Sequence, residues 1–153
     1  MVKLAIRKRN RLDGYDYALT GAYFVTICTY EHKNLFWSDG QINSAGLIVE
    51  EGIRPIQTRF SGLEIFSYAI MPDHIHLLLI NAGSEANLST IVGSLKRDVT
   101  KKIRRENPDL EVWQVSFHDR IVRNQEEMDK INTYVELNPQ NWMEAHEIPP
   151  DLF

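Results

Sequence analysis

Three features are missing from this sequence: a second cysteine, a long apolar run and an excess of basic residues. With Cys28 as the only cysteine in 153 residues, no disulfide can form within the chain, and a reducing setting is expected. Apolar runs such as HLLLI at 76–80 are far shorter than the ~20 residues that cross a bilayer. The N-terminal stretch is basic but lacks the apolar core of a signal peptide. We therefore expect a cytoplasmic protein with no membrane contact.

Length and composition predict one globular domain. The hydrophobic fraction of 43% is ordinary for a packed core, and a chain of this length can bury most of its apolar surface without disulfides. The sequence has neither repeats nor low-complexity segments. We assign residues 1–153 to a single domain, with a basic arm at 1–14 and a C-terminal tail at 140–153.

The net charge of −4 argues against a protein that binds nucleic acid through its whole surface, but the basic residues are not evenly spread. Of the 17 lysines and arginines, 11 lie in residues 3–11 and 96–105, where Asp98 is the one acid. A local basic surface counts more than the total charge when a protein meets phosphate groups. A solvated helix face and a basic tail would give the same pattern, so the clusters alone leave both interpretations open.

The segment MPDHIHLLLI, residues 71–80, places two histidines in an apolar run with the composition of a strand. Successive strand side chains point to opposite faces, so His74 and His76 share a face, with Cα atoms roughly 6.5 Å apart. That spacing allows both imidazoles to bind one metal ion. A pair of core histidines with hydrogen-bonding partners is the alternative, because buried imidazoles without partners are costly.

Hydrophobic periodicity and turn residues predict four strands and three helices. Their order gives the βαββαβ pattern of a ferredoxin-like sandwich, followed by one more helix. We predict an α+β fold with a mostly antiparallel sheet of four to five strands, helices on one face and a further C-terminal helix. Pro55 is expected to kink or end the first helix and Pro139 to end the last. The predicted strands are 22–30, 63–71, 74–80 and 112–122, and the helices begin at Asn43 or Ser44, at Asn87 or Ser89, and at Asn124.

The last predicted helix contains INTYVELNPQNW, in which Tyr134 and Asn138 lie four residues apart and project from nearly the same face. If that face meets the histidine strand, the site holds two imidazoles, an amide oxygen and a phenol. Imidazole and amide oxygen suit Mg²⁺ or Mn²⁺, and a site poor in cysteine argues against structural zinc. Only roughly 0.1% of a tyrosine is phenolate at neutral pH, so it attacks a phosphodiester when a metal polarises the phosphoryl group. Packing of Tyr134 and helix capping by Asn138 are the simpler alternatives.

Five segments together resemble one family. HIH within YAIMPDHIHLLL resembles the HUH motif, histidine–hydrophobic–histidine, of nucleases that act on single-stranded DNA. The other segments are TGAYFVTICTYEHKNLF, GSLKRDVTKKI, VWQVSFHDRIVRNQEEM and INTYVELNP, and with them the chain is similar to the REP-associated tyrosine transposases. These are relatives of the single-tyrosine insertion-sequence transposases. The resemblance runs from about Tyr15 to Trp142.

The resemblance implies a function and a site. Family members cut and rejoin single-stranded DNA near imperfect palindromic hairpins through a 5′-phosphotyrosine link, with Mg²⁺ or Mn²⁺ as the cofactor. His74 and His76 match the metal ligands, Tyr134 matches the nucleophile, and Asn138 matches the third ligand. The basic residues that the resemblance would place against DNA are Lys96, Arg97, Lys101, Lys102 and Arg104, with Arg7, Lys8 and Arg9 of the arm.

Two other functions fit parts of the pattern. A domesticated relative would hold hairpin DNA or RNA without cutting it, since ferredoxin-like sheets often bind single strands. A phosphodiesterase that uses two histidines without a metal normally has two separated histidine motifs, and this chain has one. Phe117 stands where many relatives have tyrosine, which leaves the role of His118 open. Both a monomer and a homodimer are compatible with the family.

Overall fold

The computed structural model describes residues 21–81 and 86–146. The arm at 1–14, with Arg7, Lys8 and Arg9, and the end of the tail lie outside these ranges. None of the described helices is both long and apolar enough to span a bilayer. In chain order the elements are β1 (Ala22–Cys28), a 3₁₀ turn (Tyr30–His32), β2 (Trp37–Ser38), β3 (Gln41–Ile42), α1 (Ser44–Arg59), β4 (Leu63–Ile70), β5 (His74–Asn81), α2 (Leu88–Ile103), β6 (His118–Ile121) and α3 (Gln125–His146).

Four strands form one sheet in the order β4-β5-β1-β6, and every neighbouring pair is antiparallel. β2 and β3 pair separately as a short hairpin. β4 and β5 pair as a hairpin, and the crossovers that contain α1 and α2 place β1 between β5 and β6, both distant from it in sequence. This is the topology of a ferredoxin-like sandwich. The predicted α+β fold class is therefore confirmed.

Alternation along β5 divides the core into two layers. Ile75, Leu77 and Leu79 pack on the face covered by α1 and α2, whereas Leu78 and Ile80 pack on the opposite face with α3. Because strand side chains alternate, His74 and His76 share a face with Leu78 and Ile80. We call this surface the histidine face. Buried side chains of the other layer include Val49, Ile53 and Ile56 of α1 and Ile91, Leu95 and Val99 of α2.

All three helices begin where an asparagine was expected to start them. Asn43, Asn87 and Asn124 each precede a helix and accept a hydrogen bond from the backbone N–H three residues later, at 3.0, 2.9 and 2.9 Å. This bond satisfies one of the amide donors that a helix N-terminus leaves unpaired. Local capping chemistry therefore fixes the helix starts.

Pro139 does not end its helix, so that expectation is wrong: α3 continues past it. α1 also continues past Pro55, so of the two outcomes expected there, a kink or an end, the end does not occur. An internal proline removes one helical hydrogen bond, at a cost of about 3 kcal/mol. In α1 the buried side chains of Ile53 and Ile56, on either side of Pro55 in the sequence, offset this cost by packing in the core. Asn138 consequently lies inside α3 and does not cap its end.

The last strand of the sheet is shorter than the predicted 112–122. Only His118–Ile121 joins the sheet, and Trp113 makes an isolated bridge just beyond β1. Between them the ammonium of Lys96 donates to the carbonyls of residues 114, 115 and 116, at 2.8, 3.3 and 3.3 Å. Since these carbonyls are bound by a side chain, the ladder is interrupted there.

Candidate metal and tyrosine site

His74 and His76 lie at the start of β5, with ring centroids 4.7 Å apart. In the register of the sheet they stand opposite Cys28 and Thr26 of β1. Directly opposite residues of adjacent strands share a face, so both β1 side chains also belong to the histidine face. Two imidazoles at this separation can bind one ion, because metal–nitrogen bonds are about 2 Å long.

His76 is only 5% exposed, and its two ring nitrogens have different surroundings. Nδ1 lies 3.0 Å from Thr26 Oγ1, whereas Nε2 is buried and has no hydrogen-bond partner among the described residues. Burial, and to a smaller extent the nearby His74, lowers the pKa of His76 from 6.5 to about 3. A neutral ring whose Nδ1–H donates to Thr26 presents the lone pair of Nε2 to a ligand. A buried nitrogen of this kind fits a metal ion.

His74 is oriented by the residue before it. The Asp73 carboxylate lies 2.7 Å from His74 Nδ1, the arrangement that directs the other ring nitrogen of a histidine ligand toward a metal. Thr29 holds this turn in place, since its backbone N–H donates to the Asp73 carbonyl at 3.0 Å. Its single hydroxyl proton is shared between the carbonyls of Lys33 at 2.8 Å and Asp73 at 3.1 Å. Sequence reasoning missed Asp73, although a carboxylate directly before the motif is a usable signal.

Tyr134 lies over the histidines from α3. Its ring centroid is 5.6 Å from that of His76 and 6.2 Å from that of Phe24, which it meets edge-on. Tyr134 is 49% exposed, because it flanks the buried stripe that attaches α3 to the sheet. The structure thus brings the phenol and the two imidazoles together. The buried members of that stripe include Met128, Ile131 and Val135.

Asn138 lies one helical turn beyond Tyr134 and is 9% exposed. It continues the buried stripe of α3, where an apolar residue would be the usual choice. The helix at this point approaches the end of β4, since Pro139 and Ile70 line one cavity of about 220 Å³. The end of β4 adjoins the start of β5, so this part of α3 lies toward the end of the sheet where His74 stands.

The donor set fits a hard divalent ion. Among residues 21–81 and 86–146, no group of three or more His, Cys, Asp and Glu side chains could hold a metal, so the histidine pair needs a ligand of another type. The carboxamide of Asn138 and substrate oxygens are suitable, and with imidazole they favour Mg²⁺ or Mn²⁺. Cys28 shares the face, but burial, reinforced by Asp73, raises the pKa of its thiol and disfavours a thiolate ligand.

The basic helix α2 lies on the opposite side of the sheet from the histidines. Two predicted DNA-binding residues are engaged within the chain: Lys96 of α2 binds the carbonyls of residues 114–116, and Arg104, directly after α2, donates its Nε–H to the carbonyl of Leu110 at 2.8 Å. Burial also lowers the pKa of Lys96. The structure therefore does not bring α2 to the histidine face. The other basic candidates on α2 are the exposed Arg97 and Lys101 and the half-buried Lys102.

Replacing Thr26 with valine is expected to weaken Mn²⁺ binding by about 10- to 100-fold. Valine has a similar shape but no oxygen, so Nδ1 of His76 would lose its partner and the ring would no longer be held in one tautomer. Calorimetric titration of Mn²⁺ measures the effect. Thr26→Ser keeps the hydroxyl and should retain most of the affinity. Equal affinity of Thr26→Val and the wild type would contradict this role of Thr26.

Residues 21–138 match the family model described as "Transposase IS200 like". The match contains the whole four-stranded sheet, the histidine pair, Tyr134 and Asn138. The chain therefore belongs to the IS200-like transposase family, a family of DNA-processing enzymes.

Individual proteins also match most of the chain. An uncharacterized protein of Haemophilus influenzae (strain Rd) is 27% identical over an alignment of 161 positions, which covers 89% of this chain and 89% of that protein. The fold is similar to that of a REP-associated tyrosine transposase bound to a REP hairpin, with a TM-score of 0.64 and 18% identity over 80% of this chain and 68% of that one. A putative transposase from Deinococcus radiodurans R1 matches with a TM-score of 0.54 and 23% identity, over 84% and 95%. These likenesses support the fold class.

Proposed function

We propose that this protein is a metal-dependent tyrosine transposase of the REP-associated kind, which cuts and rejoins single-stranded DNA beside imperfect palindromic hairpins. The contact between Tyr134 and His76 is the main support for the proposal. The buried Nε2 of His76 has no partner among the described residues, so it is available to a metal ion beside the phenol. A half-exposed phenol beside two oriented imidazoles has the parts for phosphoryl transfer to tyrosine. Membership of the IS200-like family supports the same reaction.

In the proposed reaction His74, His76 and Asn138 would hold Mg²⁺ or Mn²⁺, which offsets the negative charge that develops on the phosphate. Tyr134 Oη attacks the phosphorus, its bond to the 5′-phosphate forms, and the bond from phosphorus to the 3′-oxygen breaks. The phenolic proton passes to solvent, which Tyr134 reaches through its 49% exposure. The phosphotyrosine link conserves the bond energy, so a 3′-hydroxyl can reverse the step and rejoin the strand.

Hairpin DNA is the proposed partner. The transposase of similar fold is bound to a REP hairpin, and the residues of β6 next to the histidine face are all exposed here. Exposed basic residues of α2, such as Arg97 and Lys101, would contact phosphates of a hairpin that extends around the edge of the sheet. Within one chain Tyr134 already lies beside His76, so a single copy holds the parts of the proposed site.

Covalent capture tests the proposal. A single-stranded oligonucleotide that forms an imperfect palindromic hairpin with single-stranded flanks carries a 3′-fluorescein label. Incubated with the protein and Mn²⁺, it should give an adduct that resists SDS. EDTA should suppress the adduct, and mass spectrometry should locate it on Tyr134. A duplex of the same sequence is the control and should give little adduct. Tight hairpin binding that needs no metal and gives no adduct would favour the non-cleaving function instead.

A further inference from the structure

We propose that His118 donates the proton to the 3′-oxygen that leaves when Tyr134 attacks the phosphate. This inference rests on the proposed strand transfer and assigns a residue that the reaction has so far left without a role. It follows from the position of His118 in the sheet and from the geometry of phosphoryl transfer.

His118 lies in the same row of the sheet as His76. Thr26 of β1 stands opposite His76 of β5 on one side and opposite His118 of β6 on the other. Directly opposite residues share a face, so all three side chains rise from the histidine face. Neighbouring strands are about 4.8 Å apart, which places the Cα atoms of the two histidines roughly 10 Å apart. Thr26 forms the floor between them.

Tyr134 and His118 flank this floor from opposite sides. Tyr134 contacts His76, at one end of the row, and α3 packs mainly on β4 and β5. His118 ends the row at the other side, on a strand whose four residues are all exposed. The attacking and leaving oxygens of a phosphoryl transfer lie roughly in line with the phosphorus. A leaving oxygen opposite Tyr134 therefore faces β6.

Imidazole provides the required proton. As the bond between Tyr134 Oη and phosphorus forms, the bond to the 3′-oxygen breaks and its electron pair stays on that oxygen. The imidazolium N–H of His118 gives its proton to the oxygen, which leaves a 3′-hydroxyl and a neutral ring. In the rejoining step the neutral ring accepts the proton of the attacking 3′-hydroxyl. Imidazole is suited to both directions because it exchanges protons near neutral pH.

The charged residues next to His118 on β6 cannot replace it as the proton donor. Arg120 lies two residues along the same face of β6, where its guanidinium pairs with Glu127 of α3 at 3.5 Å. Arginine stays protonated at neutral pH, so it can attract a phosphate but does not exchange a proton. Asp119 points to the other face, and the residue facing His118 from β1, Thr26, is uncharged.

A substrate with a bridging sulfur separates proton donation from substrate binding. When sulfur replaces the scissile 3′-oxygen, at the cut position mapped with the wild type, the leaving group departs as a thiolate and needs no proton. On normal DNA with Mn²⁺, His118→Ala should form the adduct about 100-fold more slowly than the wild type. On the sulfur substrate the two rates should agree within about threefold, because general acid catalysis no longer contributes.

Controls exclude a structural cause. His118→Ala should keep wild-type hairpin affinity by fluorescence anisotropy and wild-type Mn²⁺ affinity by calorimetry. His32→Ala removes an exposed imidazole beside Gln114 and should keep wild-type rates on both substrates. A defect of equal size on both substrates, or no defect on either, would overturn the proton-donor role. If the wild type itself forms no adduct, the proposed strand transfer fails and the donor role fails with it.

Discussion

The Tyr134→Phe variant is expected to form the covalent DNA adduct more than about 10⁴-fold more slowly than the wild type, because loss of a nucleophile leaves only binding and charge stabilisation. The change removes one oxygen from a side chain that is 49% exposed, so the ring should keep its contacts with Phe24 and His76. Affinities for hairpin DNA and Mn²⁺ should therefore equal those of the wild type. The time course of SDS-resistant adduct measures the loss.

Tyr30→Phe is the matched control for this variant. It also removes a hydroxyl from a partly exposed tyrosine, at 38% exposure, but from the 3₁₀ turn beyond β1. It should retain the wild-type rate. Adduct formation by Tyr134→Phe at a rate close to that of the wild type would contradict the nucleophile assignment, and mass spectrometry of the adduct would then identify the residue that attacks.

The His76→Leu variant is expected to change the acid sensitivity of the metal-free protein. In the folded chain burial lowers the pKa of His76 to about 3, against 6.5 for the unfolded chain. Above pH 6.5 neither state binds this proton; between 6.5 and 3 the unfolded chain binds it and the folded chain does not. Over that range this group lowers the wild-type free energy of unfolding by on the order of 5 kcal/mol. Below about pH 3 the group causes no further loss.

The leucine variant has no imidazole at this position, so its free energy of unfolding should lack that part of the decline. Urea denaturation in EDTA, at a series of pH values from neutral to acid, measures the difference. His118→Leu removes an exposed imidazole from the same face and should follow the wild-type curve. Parallel curves for His76→Leu and the wild type would contradict a buried, neutral His76.

The same His76→Leu protein should bind Mn²⁺ more than about 100-fold more weakly, since it loses a proposed ligand together with the partner of Thr26. It should also form no adduct with hairpin DNA. If the variant resists acid better and binds no Mn²⁺, the buried imidazole of His76 lowers the free energy of unfolding at acid pH and is also required for metal binding. Unchanged Mn²⁺ affinity would remove His76 from the proposed metal site.

Much of the fold was predictable because local chemistry and long-range packing agree. The asparagine caps, the alternation along HIHLLLI and the helical spacing of Ile91, Leu95 and Val99 each indicate the element that forms. The expectations that are wrong depend on distant contacts. Pro139 lies inside α3, which continues to His146. The strand predicted at 112–122 is interrupted where the Lys96 ammonium of α2 binds its carbonyls, a contact that no local sequence pattern indicates.

The candidate site was predictable to a similar depth. Strand alternation places His74 beside His76, and the amphipathic stripe of α3 turns Tyr134 toward the sheet, as the structure shows. The roles of these residues stay predictions. Thr26 and His118 join the row only through strand pairings that connect segments 50 or more residues apart, which periodicity does not reveal. Periodicity also gives the basic face of α2 but not the side of the sheet on which α2 packs.

The division of the core by one sheet has a consequence for how the sequence can evolve. The sheet separates the side chains of α1 and α2 from those of the histidine face, and the energetic effects of substitutions at distant positions without shared partners usually add. Stabilising changes between α1 and α2 should therefore combine freely with changes on the histidine face. Costly residues such as the buried His76 can thus be tolerated on one side through gains on the other, with little epistasis between them.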